Sequence, residues 1–477
     1  MSFTEMDRER TGMKTGQPGI WRSVWEALKG SHQDFTSGSL NRSILLLAIP
    51  MVLEMVLESL FAVVDVFWVG RLGASAVATV GITETLLSLV FAIGIGLAMS
   101  TTAMVARRIG EKDPEDAAIS AVQAIILGLL ISLGLGIPAG LMAPKLLGLM
   151  GASPEIVAVG SGYARVALGG CGAILMIFLN NAIFRGAGDA AVAMRLLWVS
   201  NVINLVLDPC LIFGWGPFPR MGVTGAATAT FTGRSIGVLC QFWLLLHGTE
   251  RIHILGRHLR VNLGVLWRLM RISFAGILQF AISNASWIGL VRIVSLFGGA
   301  AVAGYTVAIR IVIFFILPSW GLSNAAATLV GQNLGAKRPD RAEQAVWRTG
   351  LYNVIFLGSI GVIFIVFATP IVKLFVQDPA VVPIAAMALR TFSCGNVGFA
   401  YVMVMLQAFN GAGDTWTPTM VNLFGFWVLL LPLAYWLAVP MHMGPEGGFI
   451  AFVVAQFAIA IASVALFKRG RWKRIQV

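Results

Sequence analysis

The chain has 477 residues, 57% of them hydrophobic and only 12% charged, with a mean hydropathy of +0.84. Soluble domains carry roughly 25% charged residues, so a water-facing globular surface cannot be clothed and a soluble fold is excluded. The net charge of +12 points to topology and anionic lipid headgroups rather than nucleic acid, because the basic residues sit on short loops between apolar segments.

Residues 1–43 are polar and basic, and no cleavable signal is expected there. Within them, IWRSVWEALKG places Trp21, Val24, Trp25 and Leu28 on one helical face, as a helix lying on a membrane surface would; a frayed tail is the plain alternative. Apolar segments then follow to the end of the chain. One run, Ala117 to Pro144, has 28 residues without Asp, Glu, Lys or Arg, enough to cross a roughly 30 Å hydrocarbon core. Hydropathy and turn signals predict twelve spans at 44–68, 76–105, 117–141, 156–184, 192–213, 223–247, 270–297, 301–332, 345–369, 381–409, 417–439 and 448–467. The expected organisation is a cytoplasmic segment 1–43, an N-lobe 44–247, a linker 248–269, a C-lobe 270–467 and a basic tail 468–477. Cys171, Cys210, Cys240 and Cys394 have neither metal nor disulfide spacing and read as packing residues.

Twelve spans put both ends on one side. With the flanking helical turns included, that side carries 25 Lys and Arg, against four (Arg71, Lys145, Arg220 and Lys373) on the other. The positive-inside rule makes both termini cytoplasmic in a multi-pass protein of the cell's inner (plasma) membrane.

Two hexapeptides recur 225 positions apart: FRGAGD at 184–189 and FNGAGD at 409–414. No strand precedes either and no phosphate-binding lysine follows, so a nucleotide loop is excluded. They read as helix–helix turns, with Gly188 and Gly413 in the left-handed conformation and Asp189 and Asp414 capping the next helix. The same offset pairs Gly73 with Gly298, Gly96 with Gly321, Gly110 with Gly335, Arg165 with Arg390 and Gly222 with Gly447. Six spans per half, an even number, give a parallel repeat. The fold class is an all-α polytopic membrane protein with twelve transmembrane helices as two six-helix parallel repeats, an architecture of alternating-access transporters.

Chemistry is expected where the halves disagree. Asp65 faces Leu290, Asp208 faces Leu433, Asn204 faces Leu429, Glu58 faces Ser283 and Glu84 faces Ile309. An ionised acid at mid-bilayer costs roughly 2.5–3.5 kcal/mol on lenient scales, so it faces a cavity or a partner. Glu54, Glu58 and Asp65 share a stripe of the first span within about 40°. Asn201, Asn204 and Asp208 share a face of the fifth. Helical rise places Asp65 and Asp208 roughly 5–8 Å from the outer ends of their spans, near the depth of Thr228, Thr230 and Glu84. Such a pocket can hold and release a proton or offer hard oxygens to Na⁺. The alternatives are that Asp65 caps its helix or pairs with Arg71, that Asp208 is a helix-end device before Pro209, and that Glu54 and Glu58 are neutral acids bonding a neighbour. Arg165 and Arg390 read as structural. In the second half Gln279, Asn284, Trp287, Gln407 and Asn422, among Phe and Met, are candidates for a substrate cavity suited to flat lipophilic cations; helix packing explains any one of them equally.

FTSGSLNRSILLLAIP leading into VVDVFWVGRLGASAVATVG, together with GLAMSTTAMVARRIGEKD, FRGAGD, NLVLDP, GVTGAATAT and QAFNGAGDTWTP, resembles the multidrug and toxic compound extrusion (MATE) transporters over roughly 36–465. The resemblance implies a twelve-helix antiporter with two lobes around a central cavity, exporting small cationic or amphipathic compounds in exchange for H⁺ or Na⁺. It matches Asp65, Asn204, Asp208 and Thr230 to the N-lobe cation site of the archaeal-like and DinF-like branches, and Pro50 to a hinge in the first span. The NorM branch instead carries acids on spans 7 and 10, where this chain has Ser283 and Phe399. The roles of Glu54, Glu58 and Glu84 stay open. No cofactor beyond the coupling ion and no enzyme activity are expected, since the five histidines lie in tails, loops and helix ends. The expected partners are small substrates and lipids, with the chain a monomer. The rival reading is a flippase for a lipid-linked precursor, which predicts a wide cationic cavity.

Overall fold

The computed structural model describes residues 20–30, 33–249 and 251–477, and among these there is helix and no strand. Among the described residues eleven helices are long and apolar enough to span a membrane, and one bent pair adds a twelfth. They are α1 (Leu40–Gly70), α2 (Ala74–Gly110), α3 (Pro114–Leu141), α4 (Pro154–Ala187), α5 (Ala190–Phe213), α6 (Val223–His247), α7 (Leu263–Phe297), α8 (Gly299–Gly335), α9 (Pro339–Lys373), α10 (Val382–Cys394 and Asn396–Ala412, bent by 54°), α11 (Trp416–Ala438) and α12 (Pro445–Lys468). Several start before the hydropathy signal does, because their first turns are polar. Thus α7 begins at Leu263 rather than 270, where Asn262 Oδ1 accepts from the amides of Gly264 and Val265, and the connection from α6 shortens to 248–262. α1 runs unbroken across Pro50 and α8 across Pro318.

The N-terminal helix Ile20–Lys29 buries Ser23 and Ala27 and exposes Trp25, with Glu26 paired to Arg42 at 2.7 Å. The side chain of Trp21 lies outside the described residues. The tail is not a free basic extension. It folds back as a turn, Arg471–Arg474, with Trp472 fully buried and stacked on Phe467 at 4.6 Å. Arg108 donates to the Val477 carbonyl at 3.1 Å and Lys473 pairs with Glu343 at 2.6 Å, so the tail touches both halves.

The repeat is written into the backbone. Lys112 and Lys337 have φ of 61° and 59°, Gly73 and Gly298 101° and 94°, and Gly188 and Gly413 92° and 86°. Near the end of the repeat the pairing slips. The left-handed partner of Gly222 (φ 59°) is Gly444 (φ 63°), and Gly225 corresponds to Gly447, each pressed against the preceding helix. The offset falls from 225 to 222 because the turn 439–444 after α11 is three residues shorter than the turn 214–222 after α5; α11, which contains a π-helical stretch, Leu423–Leu430, still ends at the offset of 225. Asp414 caps α11 through the Thr417 amide at 3.2 Å. Asp189 does not cap α5; its carboxylate turns to Thr249 (2.8 Å) and Arg251 (3.3 Å).

Each half builds apolar cores of its own, one of them on Leu290, Tyr305, Phe392 and Phe449 and another on Ile183, Phe184 and Leu245. The halves meet through α1 against α8 and α2 against α7 and α8. Toward the face bearing the chain ends, these contacts are backbone to backbone. A Cβ on Gly110 would stand 2.0 Å from the Gln332 carbonyl, and one on Gly335 2.1 Å from the Arg107 carbonyl.

Candidate ion and substrate sites

Close approach of α5 and α6 builds the first site. Gly233 carries no side chain where a Cβ would meet the Ser200 carbonyl at 2.7 Å, and this proximity brings Asn204 Nδ2 to Thr230 Oγ1 at 2.9 Å. Asp208 is fully buried although α5 continues past Pro209 to Phe213, so it is not a helix end. Asp65 faces it from α1, close enough for their charges to interact. Arg71 does not pair with Asp65; its guanidinium lies over the rings of Phe67 and Trp68 at 4.5 and 4.9 Å. Both Asp208 oxygens, Asp65 Oδ1 and Asn204 Oδ1 are buried without a hydrogen-bond partner among the described residues. Buried oxygens left without a hydrogen-bond donor are costly unless a proton or a cation completes them, so the oxygen set fits either. No group of three or more His, Cys, Asp or Glu is gathered in metal-binding geometry among the described residues; any cation here takes two carboxylates plus neutral oxygens.

Tyr163 on α4 is buried within the field of Asp65, Glu84 and Asp208. Glu84 is exposed and within electrostatic range of Asp65 and Arg310. Thr228 turns its hydroxyl back to the Thr224 carbonyl at 2.9 Å, within its own helix.

Below this site a cavity of about 380 Å³ opens between the halves. Its N-half wall holds two ion pairs. Glu58 takes Arg234 at 3.1 Å on one oxygen and Asn201 at 3.2 Å on the other. Glu54, one turn further along α1, takes Asn181 at 3.0 Å and Arg185 at 3.4 Å, and Gln241 donates to Asn181 at 2.7 Å. Glu54 and Glu58 therefore have arginine partners in place of neutral bonding. The C-half wall is uncharged: Asn284, Asn324, Gln407 and Asn410, with Phe280 and Trp320. Gln407 donates to Asn324 at 2.5 Å and Asn410 to Gln407 at 2.9 Å. A second cavity of about 260 Å³ continues past Gln279, Ser283 and Trp287; Trp287 packs on Phe452 and Asn422 donates to Ser283 at 3.0 Å.

Sequence reasoning passed over Arg185, Arg234, Asn181, Gln241 and Tyr163 as site residues. Two of them were within its reach. The one difference between the hexapeptides is Arg185 against Asn410, and Arg234 is a mid-span cation whose counterpart at the shortened offset of 222 is the uncharged Gln456.

A family profile described as MatE matches residues 50–210 and 272–436. The chain is 23% identical over 446 residues to a probable multidrug resistance protein NorM of Thermotoga maritima, covering 91% of this chain and 94% of that one. It is 24% identical over 438 residues to a FAD transporter of Shewanella oneidensis, covering 91% and 95%. A crystal structure of MATE in complex with MaL6 superimposes with a TM-score of 0.86 at 28% identity, covering 92% of this chain and 97% of that one.

Proposed function

The chain belongs to the MATE family of transporters, and from that premise we propose that it is an efflux antiporter exchanging H⁺ or Na⁺ for small cationic or amphipathic molecules. The donor-free oxygens of Asp65, Asn204 and Asp208 carry the reading. They take the coupling ion from outside the cell, as in the archaeal-like and DinF-like branches, although relatives bear the NorM name. The cavity lined by Glu58, Phe280, Trp320 and Gln407 takes the substrate. Both chain ends lie in the cytoplasm, the glycine crossings close that side, and the conformation faces outward. Pro50 is the place where α1 bends when the ion site changes state.

Purified protein in liposomes, loaded with a fluorescent cationic dye, tests this under a pH gradient and a Na⁺ gradient imposed separately. Dye movement driven by one gradient and abolished by Asp208→Asn, with the variant still monodisperse, is expected and names the ion. Full movement in both Asp65→Asn and Asp208→Asn would overturn the site. A second reading, transport of an anionic or lipid-linked amphiphile, has the cavity-lining Arg185 and Arg234 in its favour. It gains if the dye ignores both gradients and a fluorescent lipid or flavin moves instead.

A further inference from the structure

Arg234 stands between the two sites. It lies one helical turn from Thr230 on α6, and Thr230 adjoins Asn204. Its guanidinium holds Glu58 in the cavity wall and is within electrostatic range of Asp65. Glu58 and Asp65 share a stripe of α1, seven residues and thus about 10 Å apart. One side chain, 7% exposed, is therefore positioned to be counter-ion to either carboxylate. Asp65 itself lies within electrostatic range of Glu84 on α2, Asp208 on α5 and Tyr163 on α4, and Glu58 within range of Glu54, which is paired with Arg185.

We propose that Arg234 couples ion to substrate by exchanging between Asp65 in the ion site and Glu58 in the cavity. The proposal rests on the antiporter reading above. With the ion site empty, two ionised acids draw Arg234 toward Asp65 and leave Glu58 anionic, open to a cationic substrate. When H⁺ or Na⁺ neutralises Asp65 and Asp208, Arg234 returns to Glu58 and displaces the substrate. That is the negative coupling exchange requires. In the structure Arg234 is on Glu58, at 3.1 Å, one of the two positions the exchange requires. Arg234 is a positioning residue here.

The test measures the binding of rhodamine 6G to detergent-purified protein, with and without acidification and with and without Na⁺. Wild type is expected to lose dye affinity by a factor within the range of about 5–150 typical of coupled sites when its coupling ion is supplied. In Arg234→Gln the dye stays tightly bound with or without ion, because nothing neutralises Glu58. In Glu58→Gln the dye binds weakly in both conditions. Arg234→Lys, which keeps the charge, is expected to retain the ion-dependent loss. Structural damage would weaken binding in every variant alike. An undiminished ion-dependent loss in Arg234→Gln overturns the proposal. Where that variant is not monodisperse on size exclusion, an undiminished loss in Glu58→Gln overturns it equally. Wild type showing no response to either ion sinks the antiporter reading itself, and this proposal with it.

Discussion

Glu54 and Arg185 form the innermost ion pair of the cavity wall, with side chains 2% and 10% exposed. Removing one partner of a buried pair leaves the other charge uncompensated, at a cost of about 3–5 kcal/mol. Glu54→Gln is therefore expected to lower the thermal unfolding midpoint in detergent, and Glu54→Gln/Arg185→Gln to recover part of the loss. The carboxylates were legible in the sequence because an acid in an apolar span stands out. Their arginines broke the repeat in sequence, but nothing in sequence paired them with those acids. Arg185 looked like part of a turn motif, and Arg234 lies mid-span on α6, where only a three-dimensional neighbour, Glu58, explains a buried cation. The same limit applies to Asp65 and Arg71. Six positions apart at a helix end, they invite pairing, yet the guanidinium finds aromatic faces instead.

Among the elements, the tail departs furthest from its composition. Lys468, Arg469, Arg471, Lys473 and Arg474 read as a solvated basic run, whereas the single aromatic among them, Trp472, is buried against Phe467 and fixes the whole segment. Truncating a buried large aromatic costs about 3–5 kcal/mol. Trp472→Ala is expected to release the tail, seen as faster trypsin cleavage after Arg469 or Arg471 with the spans intact. The twelve spans were readable because hydropathy marks where a helix meets lipid. Their polar first turns, in α7 and α9 above all, were not, since those are set by caps such as Asn262. The repeat keeps its register to the end of α11 and then slips by three residues, because the turn that follows is shorter than its counterpart after α5, and a deletion inside a turn leaves no mark in the hydropathy of the flanking helices.

For the whole molecule, the charge asymmetry between the loop sets predicts topology. A cysteine placed at Lys337 in a background lacking the native four is expected to resist a membrane-impermeant maleimide added to intact cells, and one at Lys145 to react. The seal between the halves makes a second prediction. Gly110→Ala would thrust a methyl group 2.0 Å from the Gln332 carbonyl, and Gly335→Ala one 2.1 Å from that of Arg107. Neither clash is relieved by rotating a side chain. Both variants are expected to hold the halves apart there, raising the reactivity of a reporter cysteine at Thr328 relative to the glycine parent; unchanged reactivity would show that the crossing is not the closure. Such a seal also bears on speed. Side chains that interdigitate must be frozen into single rotamers at every closure, at up to about 2 kcal/mol for each long one. Glycine has no rotamers to freeze. Two backbones that meet at Gly110 and Gly335 can part and rejoin without that entropic term, so under the antiporter proposal the crossing is suited to a gate opened and shut once in every turnover.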